Sequence, residues 1–109
     1  MEFKARYNKR DIMYNAHKFY RDGRHGDFAN CLRHAWENAK GVKRLADALG
    51  EEIHTWKGWT ALGREVIHEQ KTVGQVDSWV THLKYKIKMA MSYFTYEQTC
   101  ELGTQPPKA

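Results

Sequence analysis

The chain has 109 residues, of which 13% are aromatic, including four tryptophans; a single core of ordinary size, stable without disulfide or metal staples, is expected. Cys31 and Cys100 stand far apart with no Cys-x-x-Cys pair, and nowhere do about 18 apolar residues run together, which excludes a disulfide scaffold, a zinc ribbon and a membrane-spanning helix and points to a soluble, cytoplasmic protein. The net charge of +5 is uneven, with 11 Lys/Arg against 6 Asp/Glu in residues 1–50 and 7 against 7 thereafter, so the first half offers a footprint for phosphate backbones or an acidic protein face, or else a plain solvated surface.

In chain order, Asp11 is the expected N-cap of a first helix whose apolar stripe is Ile12, Met13, Ala16, Phe19 and Tyr20, ended by Gly23 and Gly26. Asp27 is the expected cap of a second, carried by Phe28, Cys31, Leu32, Ala35, Trp36 and Ala39 as far as Gly41. Trp36 shares a face with Phe28, Leu32 and Ala39 and is expected to be buried. Val42, Leu45, Ala46 and Leu49 keep the same period up to Gly50, as a third helix or a bent extension of the second. Thr55 is placed to cap a short turn of helix through Trp56, Trp59 and Leu62, with Gly63 as its left-handed stop.

Beyond Arg64 the β-branched content rises through Val66, Ile67, Thr72, Val73, Val76 and Val80. The strongest strand signal follows, because Leu83, Tyr85, Ile87, Met89, Met91 and Tyr93 alternate with Lys84, Lys86, Lys88, Ala90, Ser92 and Phe94. Tyr85 is thereby expected to face inward. Thr95-Tyr96-Glu97-Gln98 has capping-box form and predicts a terminal helix. The fold class expected is α+β: two to three N-terminal helices packed on a small antiparallel sheet of two to three strands, with a short C-terminal helix. Residues 1–102 are read as one domain, with a helical half at 8–50 and a β-rich half at 53–102, and 103–109 as a flexible tail.

On a strand, Lys84, Lys86 and Lys88 would point to one side at about 6.6 Å intervals, a spacing that follows a phosphate backbone and equally guards a sheet edge against aggregation. Trp56, Trp59 and Trp79 are either core or a base-stacking platform beside that row. Six histidines form no His-x-x-x-His pair, and Cys31-x-x-His34 supplies only two ligands, fewer than zinc takes. The same pair offers no oxyanion site for a nucleophile. No catalytic residue, metal or cofactor is expected, and the protein is read as a binder, not an enzyme.

Asp11 to His17, followed by Phe28 to Lys40 with its Leu32-x-x-Ala35-Trp36-x-x-x-Lys40 pattern, resembles the start of small phage and mobile-element proteins, a likeness that implies no activity of its own. Trp56 to Val66, then Lys71 to Trp79 and Tyr93 to Thr99, resembles a trimmed N-terminal single-stranded-DNA-binding domain of ArdC-type antirestriction proteins. Where those proteins have Lys-Gly-Glu-Lys after the first strand, this chain has His68-Glu69-Gln70-Lys71. Glu69 replaces the glycine suited to a tight turn, and Lys71 alone carries over as a basic contact.

These readings together imply a phage or mobile-element inhibitor of a host defence system, anti-CRISPR or antirestriction, that works in the bacterial host cell by binding a nucleic-acid-handling effector or its nucleic acid. The alternative is a general single-stranded nucleic-acid-binding accessory protein. The contact residues expected are Lys84, Lys86, Lys88, Lys71, Arg64, Arg33, Lys40, Lys43 and Arg44.

Overall fold

A computed structural model describes residues 4–107. Helix α1 (Lys9–Asp22) begins just after Asn8, whose side chain accepts the Asp11 amide at 3.2 Å. Asp11 is therefore not the cap; it lies in the first turn, where its carboxylate meets the positive end of the helix. Gly23 ends α1 at φ 80°, and its amide returns to the carbonyls of Phe19 and Tyr20.

Helix α2 (Phe28–Leu49) starts at Asp27, whose carboxylate accepts the Asn30 amide at 2.9 Å, and stops at Gly50 with φ 70°. Gly41, expected as an end, is passed without a break, so the proposed third helix is the second half of α2. The glycine serves packing instead: a Cβ there would stand 2.6 Å from Val76 Cγ1. A Cβ on Gly74 would meet Leu45 Cδ1 at 2.8 Å. These two glycines let α2 lie close on strand β3 (Gly74–Trp79).

Strands β1 (Ile53–His54), β3 and β4 (Lys88–Thr95) form an antiparallel sheet in the order β1-β4-β3. Its face toward α2 buries Ala46, Ile53 and Tyr93, with Val42, Leu45, Val76 and Met91 around them. Helix α1 packs on α2 through Ile12, Ala16, Phe19, Cys31 and Ala35, a cluster that reaches Trp79 at the end of β3. The third cluster joins helix α3 (Trp56–Ala61) to the remaining strands. Thr55 caps α3 by accepting the Gly58 amide at 3.1 Å, and Trp59 is buried beside Val66 and Phe94, its indole N–H donating to the Phe94 carbonyl at 2.9 Å. Strand β2 (Arg64–Val66) pairs antiparallel with β5 (Thr99–Glu101) as a separate two-stranded sheet. The α+β class stands, and it is α2 that covers the larger sheet.

Three expectations for the second half are corrected. The long strand does not begin at Leu83, because β4 starts only at Lys88 and residues 83–87 form a loop. His82 turns the chain in the left-handed region at φ 63°, and Arg24 takes the carbonyls of Leu83 and Lys86 that a ladder would otherwise use. The terminal helix is a single 3-10 turn, Tyr96–Gln98, because Thr99 is extended and enters β5. The tail is held as far as Gln105, whose side chain accepts the His68 amide at 3.1 Å and donates to the Val66 carbonyl at 2.8 Å. Lys108 and Ala109 lie outside the described residues, as do Met1 to Phe3.

The turn between β2 and β3 forms even without a glycine. The Gln70 amide bonds to the Ile67 carbonyl at 3.3 Å, and Glu69 itself takes φ 71°. A non-glycine residue thus occupies the third position of a turn that favours glycine there. Among the described residues no helix is long and apolar enough to cross a membrane.

Candidate nucleic-acid interface

The lysine row survives in part, on a loop and not on a strand. Lys84 and Lys86 are exposed in the β3–β4 loop, and Lys88 opens β4 with its Nζ 4.4 Å from the Trp79 ring centroid. Tyr85, expected to point inward, is 86% exposed, and Lys84 Nζ lies 5.4 Å from its ring. An alternating pattern implies a buried face only where a ladder holds the chain extended. Here the loop presents a tyrosine between two lysines.

That loop is tied to the helices by a partly buried polar network. The Arg24 guanidinium donates to the carbonyls of Leu83 and Lys86, the second at 3.0 Å, while its Nε pairs with Asp22 at 3.2 Å. Arg24 Nη2 is buried without a partner among the described residues. His25, fully buried, sets Nε2 3.2 Å from Asp22 and 3.1 Å from the Val80 carbonyl, and its Nδ1 3.0 Å from Nδ1 of His34. One of those two ring nitrogens carries a proton and the other accepts it. Gly23 and Gly26, both at positive φ, bracket Arg24 and His25 and allow the sharp connection that brings both side chains under the loop.

The network sets the charge states around it. Burial pushes the Asp22 carboxyl up, but Arg24, the His82 amide and His25 together outweigh it, and the group stays below its ordinary range. Burial is the main cause that lowers His34, aided by His25, Arg33 and Lys88 and opposed by Glu37. His34 stacks flat on Trp79, with ring centroids 3.5 Å apart and planes 4° from parallel. The Trp79 indole N–H donates to Glu37 at 2.7 Å, chiefly for which reason the Glu37 carboxyl sits low. Asn38 clamps the Trp79 backbone from both sides, accepting its amide at 2.8 Å and donating to its carbonyl at 2.9 Å.

The other expected contacts divide. Arg33 is exposed on α2 near Glu37 and is hydrogen-bonded to Asn30; Lys40 and Arg44 follow it on the same stripe of α2, seven and eleven residues on, both exposed. The structure therefore groups Arg33 with Lys88 around Trp79 and carries Lys40 and Arg44 away along the helix. Lys43 is engaged by Asp47 at 2.6 Å. Arg64 is occupied within the fold, donating to Thr99 Oγ1 at 2.8 Å and to the Thr99 carbonyl at 3.1 Å, with its guanidinium 4.0 Å from the Tyr96 ring centroid. Lys71 is exposed but precedes β3, at the opposite end of that strand from the lysine loop.

Of the three tryptophans offered as a stacking platform, Trp59 is core, Trp79 is held between His34 and Lys88, and Trp56 is 46% exposed on α3. Cys31 is buried and its thiol donates to the Gly26 carbonyl; burial, then Asp27, pushes it up and away from thiolate. Among the described residues no group of three or more His, Cys, Asp or Glu is placed to hold a metal ion.

No protein-family model matches this chain, and no curated protein or solved structure is detectably similar to it.

Proposed function

We propose that this protein acts by binding, with the Lys84–Lys88 loop gripping the phosphates of a single-stranded nucleic acid while Tyr85 stacks on a base, and that it serves as a phage or mobile-element inhibitor which occupies nucleic acid handled by a host defence effector. The observation that carries this reading is the 86% exposure of Tyr85 between two lysines. A tyrosine held out in water gains nothing for folding, whereas an aromatic face flanked by cations is what sequence-tolerant strand binders use. Arg24 fixes the loop from below and His25 holds the Val80 carbonyl just before it, so little ordering is left to be lost on binding.

The test is fluorescence anisotropy with labelled oligo-dT and oligo-U over a salt series. Affinity should fall steeply with salt, and replacing Lys84, Lys86 and Lys88 together by alanine should flatten the slope by about two, as three released counterions require on a single strand. Tyr85→Ala should weaken binding by roughly tenfold or more, the worth of one stacked base. Absence of binding at about 50 mM salt, or an affinity indifferent to salt, removes the reading. The defence role is tested separately: a complex with one effector that survives excess competitor DNA supports it, and capture by any DNA offered replaces it with a general accessory role.

A further inference from the structure

Strand β4 has a second edge. The Val80 amide bonds to the Ile87 carbonyl, and the Tyr93 carbonyl accepts the Val73 amide, so residues 87, 89, 91 and 93 direct their backbone groups toward β3. Lys88, Ala90 and Ser92 consequently point theirs the other way. On that side β1 pairs only with Phe94 and Thr95. Among the described residues no backbone group answers Lys88, Ala90 or Ser92 on that outer side, and both Lys88 and Ala90 are exposed. The open stretch is five residues, about 17 Å of unpaired strand.

A groove of about 910 Å³ runs beside this edge. Met89, Met91 and Tyr93 of β4 line it from below, and Ile12, Phe19 and Val42 of the two long helices form a wall. Its rim is cationic, with Lys4, Arg6, Lys18 and Lys57 against Asp11 and Glu52. No proline falls between Lys88 and Thr95; Lys88 at its start is the charged residue of this edge, and α3 meets β4 near Phe94 at its other end.

We propose that the open edge of β4 is a strand-addition site for an extended segment of a partner protein in which apolar residues alternate with acidic ones. The added strand completes the row that β1 begins, exchanging hydrogen bonds with Ala90 and its neighbours. Because side chains alternate across a strand, every second one enters the groove beside Met89 and Met91. The residues between them, and those flanking, meet the cationic rim, which selects carboxylates. A second copy of this chain is a poorer occupant, since it would bring two cationic rims together. The proposal stands on the edge and the groove and is independent of the nucleic-acid reading.

The probe is a fluorescein-labelled heptapeptide alternating glutamate with leucine or valine, titrated into the full chain, with amide hydrogen exchange followed residue by residue. Saturable binding is expected, together with at least about tenfold slower exchange at the Ala90 and Ser92 amides. The same peptide with lysine in place of glutamate should bind at least about tenfold more weakly, because the rim would repel it. Ala90→Pro removes one outward N–H and no rung shared with β3, a change that edge strands tolerate; it should abolish peptide binding and leave oligonucleotide affinity unchanged. Should Ala90→Pro fail to fold, exchange in the native chain decides alone. No binding, binding without protection of Ala90 and Ser92, equal affinity for the lysine peptide, or protection of those amides by self-association would each overturn the proposal.

Discussion

Gly41 in the middle of α2 lies against Val76 of β3 so closely that a single added methyl would stand 2.6 Å from Val76 Cγ1. A helix interior normally gains about 1 kcal/mol when glycine becomes alanine. Overpacking against a β-branched side chain on a paired strand costs about 1 to 3 kcal/mol, so the clash wins. Gly41→Ala should therefore lower stability by up to about 2 kcal/mol in urea unfolding. Adding Val76→Ala should cancel most of the clash, a coupling read as non-additivity of the two changes. An additive pair would show that α2 shifts freely on the sheet.

That glycine also shows what was legible in the sequence and what was not. Caps are local, and Asp27, Thr55, Gly23 and Gly50 stand where side-chain chemistry and left-handed φ place them. A mid-helix glycine looks the same whether it ends a helix or admits a neighbour, and only the partner strand distinguishes the two. The lysine row failed for a similar reason: Leu83 to Tyr93 alternates throughout, but the ladder stops at Lys88 because Arg24, sixty residues earlier in the chain, claims the loop carbonyls. Trp36, expected in the core, is half-buried at its margin and meets Tyr7 edge-on, ring centroids 5.2 Å apart. Within the candidate site the sequence singled out Lys84, Lys86 and Lys88 but turned Tyr85 inward and passed over Asp22, Arg24 and His25. The one local hint was a charged residue and a histidine pinned between Gly23 and Gly26.

Acid sensitivity should follow from buried His34. His34 titrates below its ordinary 6.5, first because of burial and then because of His25, Arg33 and Lys88, with Glu37 opposing. A lowered folded-state value means that the unfolded chain takes up the proton first as pH falls. Stability is therefore full above the unfolded value and declines as pH drops through 6.5 toward the folded one. Urea midpoints should fall between about pH 7.5 and about pH 5, and His34→Asn, which keeps a polar atom near His25 Nδ1, should remove part of that slope. A slope identical in the variant would assign the effect elsewhere.

The β2–β3 turn carries local strain at Glu69, whose φ of 71° is the conformation an L-residue disfavours. The cost is about 1 to 2 kcal/mol for a side chain with a Cβ, reduced for glycine by its greater freedom in the unfolded chain. Glu69→Gly should therefore raise the melting temperature by about 2 to 6 °C. Glu69→Val, which adds branching at the same φ, should lower it. A drop in the glycine variant would mean that the carboxylate makes a stabilising contact that outweighs the strain.

Arg24 offers the sharpest separation between a residue that touches a ligand and one that positions others. Its guanidinium bridges the carbonyls of Leu83 and Lys86 while pairing with Asp22, so the loop bearing Lys84, Tyr85 and Lys86 is anchored through one side chain. Arg24→Lys keeps the charge but loses the planar fork needed to reach two carbonyls and a carboxylate together. If Arg24 acts by positioning, lysine and alanine variants should weaken oligonucleotide binding alike, by roughly tenfold, as the loop must then be ordered on binding. The salt slope should stay where it was in both, because the same lysines still meet the same phosphates. Loop amides from Leu83 to Ile87 should exchange faster in the free variants. If lysine restores the affinity, or alanine flattens the salt slope by about one, Arg24 itself meets a phosphate and belongs to the binding surface. Melting temperature serves as the control, since losing one of the partners of Asp22 costs stability in both variants and cannot by itself change the slope.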